Sequence, residues 1–166
     1  MILVPFASIL ISGLVGYFLS APIAYTLNNA SLLITSSVAG FPLLSSMVLG
    51  LVFGLLILSP ASSAAIALAL QLDGSAGAAA LIGCSVQFTV FAFLSLKDND
   101  AGTFLAQLII TPKLQTGNIL KHPKVALFPL ILGTLLAPVG VLIFGLEASA
   151  EIAGMGLCAL VAVFGI

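Results

Sequence analysis

Gln115, Thr116, Asn118 and His122 stand within eight residues of one another, between Pro112 and Pro123. Two amides, a hydroxyl and an imidazole offer hydrogen-bond donors and acceptors. Such a set suits a neutral, hydroxyl-rich solute, which needs many hydrogen bonds and little charge. The competing reading is a wet loop of ordinary turn residues. Lys113, Lys121 and Lys124 interleave with these groups and could instead meet anionic lipid headgroups or an acidic partner face. Lys113 is expected to matter less to a solute than Gln115 or Asn118. A lone His122 could accept a proton or carry a phosphoryl group, but a single loop histidine is usually neither.

A catalytic set is not visible. Ser62 and Ser63 have no base near them in sequence, and the only histidine is far away, so no activated nucleophile is assembled. No phosphate-cradling glycine motif is present. Cys84 and Cys158 lie in apolar runs and read as packing thiols rather than a disulfide or metal site. One histidine without a neighbouring carboxylate does not make a metal site either. No cofactor is expected.

The elements that hold these residues are set by an unusual solvent. Of 166 residues, 61% are apolar and 5% charged, with a mean hydropathy of +1.36. A water-facing globular surface needs about a quarter of its residues charged. The expected fold is therefore an all-α integral membrane protein, a polytopic bundle of about 4–6 spans with one or two re-entrant or half-helix segments. Its main partner is the lipid bilayer. A net charge of −1 gives no electrostatic case for nucleic acid. All four lysines, the histidine, Asp98 and Asp100 fall between Lys97 and Lys124. That polar, hairpin-like window, 97–124, is where water or a polar cavity enters, and its lysines assign it to the cytoplasmic side.

Along the chain, Ile2 to Leu27 reads as a first span, ended by a polar break at Asn28, Asn29 and Ser31. Ser31 to Ser37 reads as a short interfacial piece. Gly40 to Ser59 is a second span, with Gly50 and Gly54 spaced for close helix approach. Pro60 to Gln71 is apolar but too short to cross, and reads as a half-helix or a tight connector of small residues. Ser75 to Leu96 is a third span. Its Gln87 should face protein, because an amide facing lipid lacks a partner. Thr103 to Ile110 is a short helix. Val125 to Leu146 is a fourth span, with kinks expected at Pro129 and Pro138. Ile152 to Ile166 is apolar but short for a span. All of residues 1–166 read as one membrane domain.

Several pieces in order resemble one membrane family. They are Gly13-Leu14-Val15-Gly16 with Pro22, Ser62-Ser63-Ala64-Ala65-Ile66, and Gly83-Cys84 with Gln87. Gln115 with Gly117-Asn118-Ile119-Leu120-Lys121-His122-Pro123, and Ala153-Gly154-Met155-Gly156, complete the series. The chain resembles the phosphotransferase-system EIIC permeases, in the branch that includes the regulator of perfringolysin production. The resemblance implies a multi-pass protein of the plasma membrane. It implies a homodimer that binds a sugar at a hairpin and presents it to a separate EIIB protein. It also implies a family chain about twice this length, of which these residues match the central and C-terminal part. The solute-binding candidates are then Thr111, Gln115, Thr116, Asn118, His122, Gln87, Ser62 and Ser63. One departure stands out: where sugar-binding members carry glutamate-proline at the hairpin, this sequence has Thr111-Pro112. That departure keeps a second reading open, a regulatory membrane sensor on the same scaffold without transport or phosphorylation. A third is a structural subunit that needs further segments.

Overall fold

The structure is a computed structural model. It describes residues 3–96 and 98–164, with side chains from Phe6 onward. Ile2, Lys97, Gly165 and Ile166, all within expected segments, lie outside the described residues.

Helices make up the described chain, and its β-structure is one isolated bridge between Gly74 and Ala148. Among the described residues, three helices are long and apolar enough to cross a membrane: Phe6–Gly40, Gly74–Ser95 and Lys124–Ile143. A fourth apolar helix, α2 (Pro42–Leu58), has 17 residues, at the short end of the spanning range.

The first helix departs from expectation. The polar break at Asn28–Ser31 does not end it, and α1 runs unbroken over Leu3–Gly40, 38 residues. The physical reason is local. Asn and Ser lower helix propensity by only a few tenths of a kcal/mol each, and breaking the helix would leave backbone groups unpaired in an apolar medium. Several of its hydroxyls turn back on the helix, as when Thr35 donates to the Ser31 carbonyl at 3.0 Å. At about 1.5 Å per residue the helix is roughly 57 Å long, well beyond a ~30 Å hydrocarbon core. Residues 6–26 are exposed, and it is near the C-terminal end that Ile34 and Val38 meet the core.

The core is the seam between α2, α4 (Gly74–Ser95) and α7 (Lys124–Pro138). Small residues let these backbones touch. A Cβ on Gly50 would sit 2.7 Å from the Ala137 Cβ, and a Cβ on Gly83 would run into the Gly50 carbonyl. The Gly50-x-x-x-Gly54 pair thus packs within this chain, against α4 and α7. Pro129 lies inside α7 without ending it, and Pro138 is followed by a π-turn over Val139–Ile143.

Shorter pieces pack around the seam. Pro60 to Gln71 holds a half-helix, α3 (Ser63–Ala69). The polar window contains α5 (Ala101–Leu105) continuing in a π-turn (Ala106–Ile110). It breaks at Thr111, then forms a 3₁₀ turn (Pro112–Gln115) and α6 (Thr116–Lys121). Its first half lies along α4. After α7 the chain does not form the single apolar helix that the composition of Ile152–Ile166 suggests. It makes α8 (Ala150–Ala153), a 3₁₀ turn (Cys158–Leu160) and α9 (Val161–Phe164). Positive φ angles at Gly156, Ala159 and Leu160 interrupt it. This broken segment is anchored at the start of α4. The Ala150 amide donates to the Asp73 carboxylate at 2.7 Å, and the Ala148 amide to the Gly74 carbonyl at 3.1 Å.

Candidate solute site

Thr111 is extended backbone, φ −171° and ψ 138°. Proline at 112 disfavours helix at the preceding residue, so the π-turn ends there and the chain changes direction. The Thr111 hydroxyl caps the next turn by accepting from the Lys113 amide at 3.2 Å. Ser62 does the same for α3, accepting from the Ala65 amide at 3.2 Å. These two caps face one cavity of about 280 Å³. Its walls also include Ser63, Lys113, Phe88 of α4, and Gly154 and Met155 from the C-terminal turn.

The cavity is held by bonds between distant parts of the chain. The Ser63 hydroxyl donates to the Gly154 carbonyl at 2.7 Å, and the same carbonyl lies 3.7 Å from the Cys84 thiol. The Thr116 hydroxyl contacts the Leu58 carbonyl at 3.0 Å and the Lys113 carbonyl at 2.7 Å, tying the window to the end of α2. The Lys113 ammonium donates to the Ala61 carbonyl. Gly156, at φ +61°, lets the C-terminal turn press on α4; a Cβ there would lie 2.8 Å from the Phe88 ring.

Gln115 and Asn118 face elsewhere. They line a second cavity of about 310 Å³ with Ser95, Asp98 and Asn99. An amide chain runs inward from it. The Asn118 side-chain amide donates to Gln115 at 3.4 Å, and the Gln115 amide to the Gln107 carbonyl oxygen at 3.1 Å. Gln107 is fully buried, and its own amide nitrogen has no partner among the described residues.

The eight candidates therefore fall into separate places. Ser62, Ser63 and Thr111 share the first cavity; Gln115 and Asn118 share the second. Thr116 braces the window against α2. His122 is exposed at the end of α6 and lines neither cavity. Gln87 is fully buried in the helical seam, as its polarity in an apolar span required. It lies between Gly54 and Gly133, with neither side-chain atom paired among the described residues.

Sequence reasoning passed over two residues. Gln107 carried the same signal as Gln87, an amide in an apolar run. Lys113 was ranked below the amides because a lysine beside a polar turn reads as a solvent-facing charge. Its place at the cavity depends on the Thr111 break and on the Ala61 carbonyl, 52 residues away in sequence.

The family model described as Phosphotransferase system, EIIC, matches residues 1–166. No curated protein and no solved structure matches the chain.

Proposed function

The chain belongs to the phosphotransferase system EIIC family, the integral plasma-membrane permease components of such systems, and from that premise we propose that it binds and translocates a sugar-like solute. The binding place is the cavity between α3, the Thr111 break and the C-terminal turn. The observation that carries this reading is the convergence of Ser62, Thr111 and Lys113 on one cavity walled by Phe88 and Met155. Ligand sites are concave and largely apolar, with a few polar groups that fix orientation. At about 280 Å³ the cavity is slightly smaller than the ~300–1,000 Å³ of drug-sized sites, which suits a monosaccharide. A separate EIIB protein would receive the solute for phosphorylation, and the working unit would be a homodimer.

A regulatory sensor on the same scaffold is the second reading. It is favoured by the absence of a carboxylate from the residues that line the cavity, where sugar-binding members are expected to carry a glutamate. Uptake by vesicles containing the full chain, with and without a cognate EIIB, separates the two. EIIB-dependent accumulation of phosphorylated solute supports the permease. Binding without uptake supports the sensor.

A further inference from the structure

We infer that the solute taken by this cavity carries a carboxylate, as a sugar acid of monosaccharide size does. The inference rests on the reading of the cavity as the solute site and specifies its ligand. Three hydrogen-bond donors converge there with no acid to answer them. The Ser62 and Thr111 hydroxyls each accept from a backbone amide. Each therefore keeps its O–H as a donor, and no acceptor for either is found among the described residues. The Lys113 ammonium has three N–H groups, of which the Ala61 carbonyl takes one. Asp73, Asp98, Asp100, Glu147 and Glu151 are all the acids of the chain, and none lines the cavity.

The Lys113 ammonium is exposed and keeps N–H groups that the Ala61 carbonyl does not take, so it is free to pair with an anion that enters the cavity. Ile57, Phe88, Ile110 and Met155 line the same cavity, and a bound solute that displaces water there would strengthen the attraction between the two charges. A carboxylate is acceptor-only when ionised, the complement of this donor set. Its single charge also matches the single lysine. A phosphate monoester carries about −1.5 to −2 and would leave the excess uncompensated. A neutral sugar would satisfy the hydroxyls but leave the ammonium without a counter-charge.

The test uses the full chain in nanodiscs of zwitterionic lipid, with folding checked by circular dichroism. Calorimetry compares glucose with glucuronate, galactose with galacturonate, and glucose 6-phosphate. Each acid is expected to bind about tenfold or more tighter than its parent sugar, the usual size of a charge-assisted hydrogen bond. Added salt should narrow the gap. Lys113→Gln should remove the preference, Lys113→Arg should keep it, and Lys121→Gln should leave it unchanged. If Lys113→Gln fails to fold, the wild-type preference and its salt dependence decide. Sugars binding as tightly as their acids, or a preference that survives in folded Lys113→Gln, overturns the inference and leaves the cavity reading intact. Tighter binding of glucose 6-phosphate overturns the carboxylate assignment. No binding of any of the five in folded protein overturns the inference together with the reading beneath it.

Discussion

The Ser63 hydroxyl donates to the Gly154 carbonyl at 2.7 Å, joining residues 91 positions apart. Ser63 opens the half-helix α3, and Gly154 opens the broken C-terminal turn. Neither segment can span a membrane, and each satisfies polar groups of the other. Irregular backbone at membrane depth persists only where it is buried in protein or lines a cavity. This bond lies at the edge of the cavity they form together.

Ser63→Ala removes the donor and leaves a buried carbonyl with only the weak Cys84 contact. A loss of about 1–3 kcal/mol is expected, read as a lower midpoint of thermal unfolding in detergent. A midpoint equal to wild type would mean that the bond adds nothing to the fold.

The glycine seam sets an order of sensitivity. A Cβ on Gly83 meets the rigid Gly50 backbone, whereas one on Gly54 comes 3.0 Å from the movable end of Gln87. Gly83→Ala should therefore destabilise by about 1–3 kcal/mol, and Gly54→Ala by less. Thermal unfolding of the two variants side by side checks the ranking, which the reverse order would refute.

Gln87→Met replaces an amide without a partner among the described residues with an apolar chain of similar length. An unpaired buried polar group costs about 1–3 kcal/mol, so the variant should be as stable as wild type or more so. A clear drop in its unfolding midpoint would show that the amide has a favourable role in the fold.

The two cavities make opposite predictions for solute binding. With the solute beside Thr111, Thr111→Val and Ser62→Ala should each weaken binding by about five- to tenfold, the loss of one hydrogen bond of ~1 kcal/mol or slightly more. Asn118→Ala and Gln115→Ala should leave it nearly unchanged. Titration of the four variants with the solute that binds wild type decides. The converse pattern would move the site to the second cavity.

Asp100 accepts from the Thr103 hydroxyl at 2.6 Å and the Thr103 amide at 2.9 Å. These bonds, the hydroxyl first, hold its carboxyl below the ordinary aspartate value. A carboxylate favoured by the fold stabilises it above the unfolded-state pKa, and that contribution fades as pH falls through the lower folded value. The start of α5 should therefore keep its cap down to acidic pH. Side-chain carbon NMR of Asp100 should give a midpoint below that of a model peptide, and Thr103→Val should raise it. An unchanged midpoint in Thr103→Val would remove the threonine as the cause.

Composition alone determined the membrane class, because a chain with 5% charged residues cannot clothe itself for water. Local pattern also located α2, α4 and α7 with its π-turn continuation to within a few residues, since long apolar runs in lipid must close their own backbone hydrogen bonds. A buried Gln87 and a close approach at Gly50 and Gly54 followed from polarity and side-chain size. The end of α1 did not follow, because the polar residues from Asn28 to Ser31 weaken a helix without breaking it. Nor did the partition of the polar residues into two cavities. Ser62 and Thr111 are far apart in sequence, and Lys113 reaches back to Ala61. Only the packing of broken segments against α4 decided which of these groups share a space, because irregular backbone takes its shape from the distant partners that satisfy it.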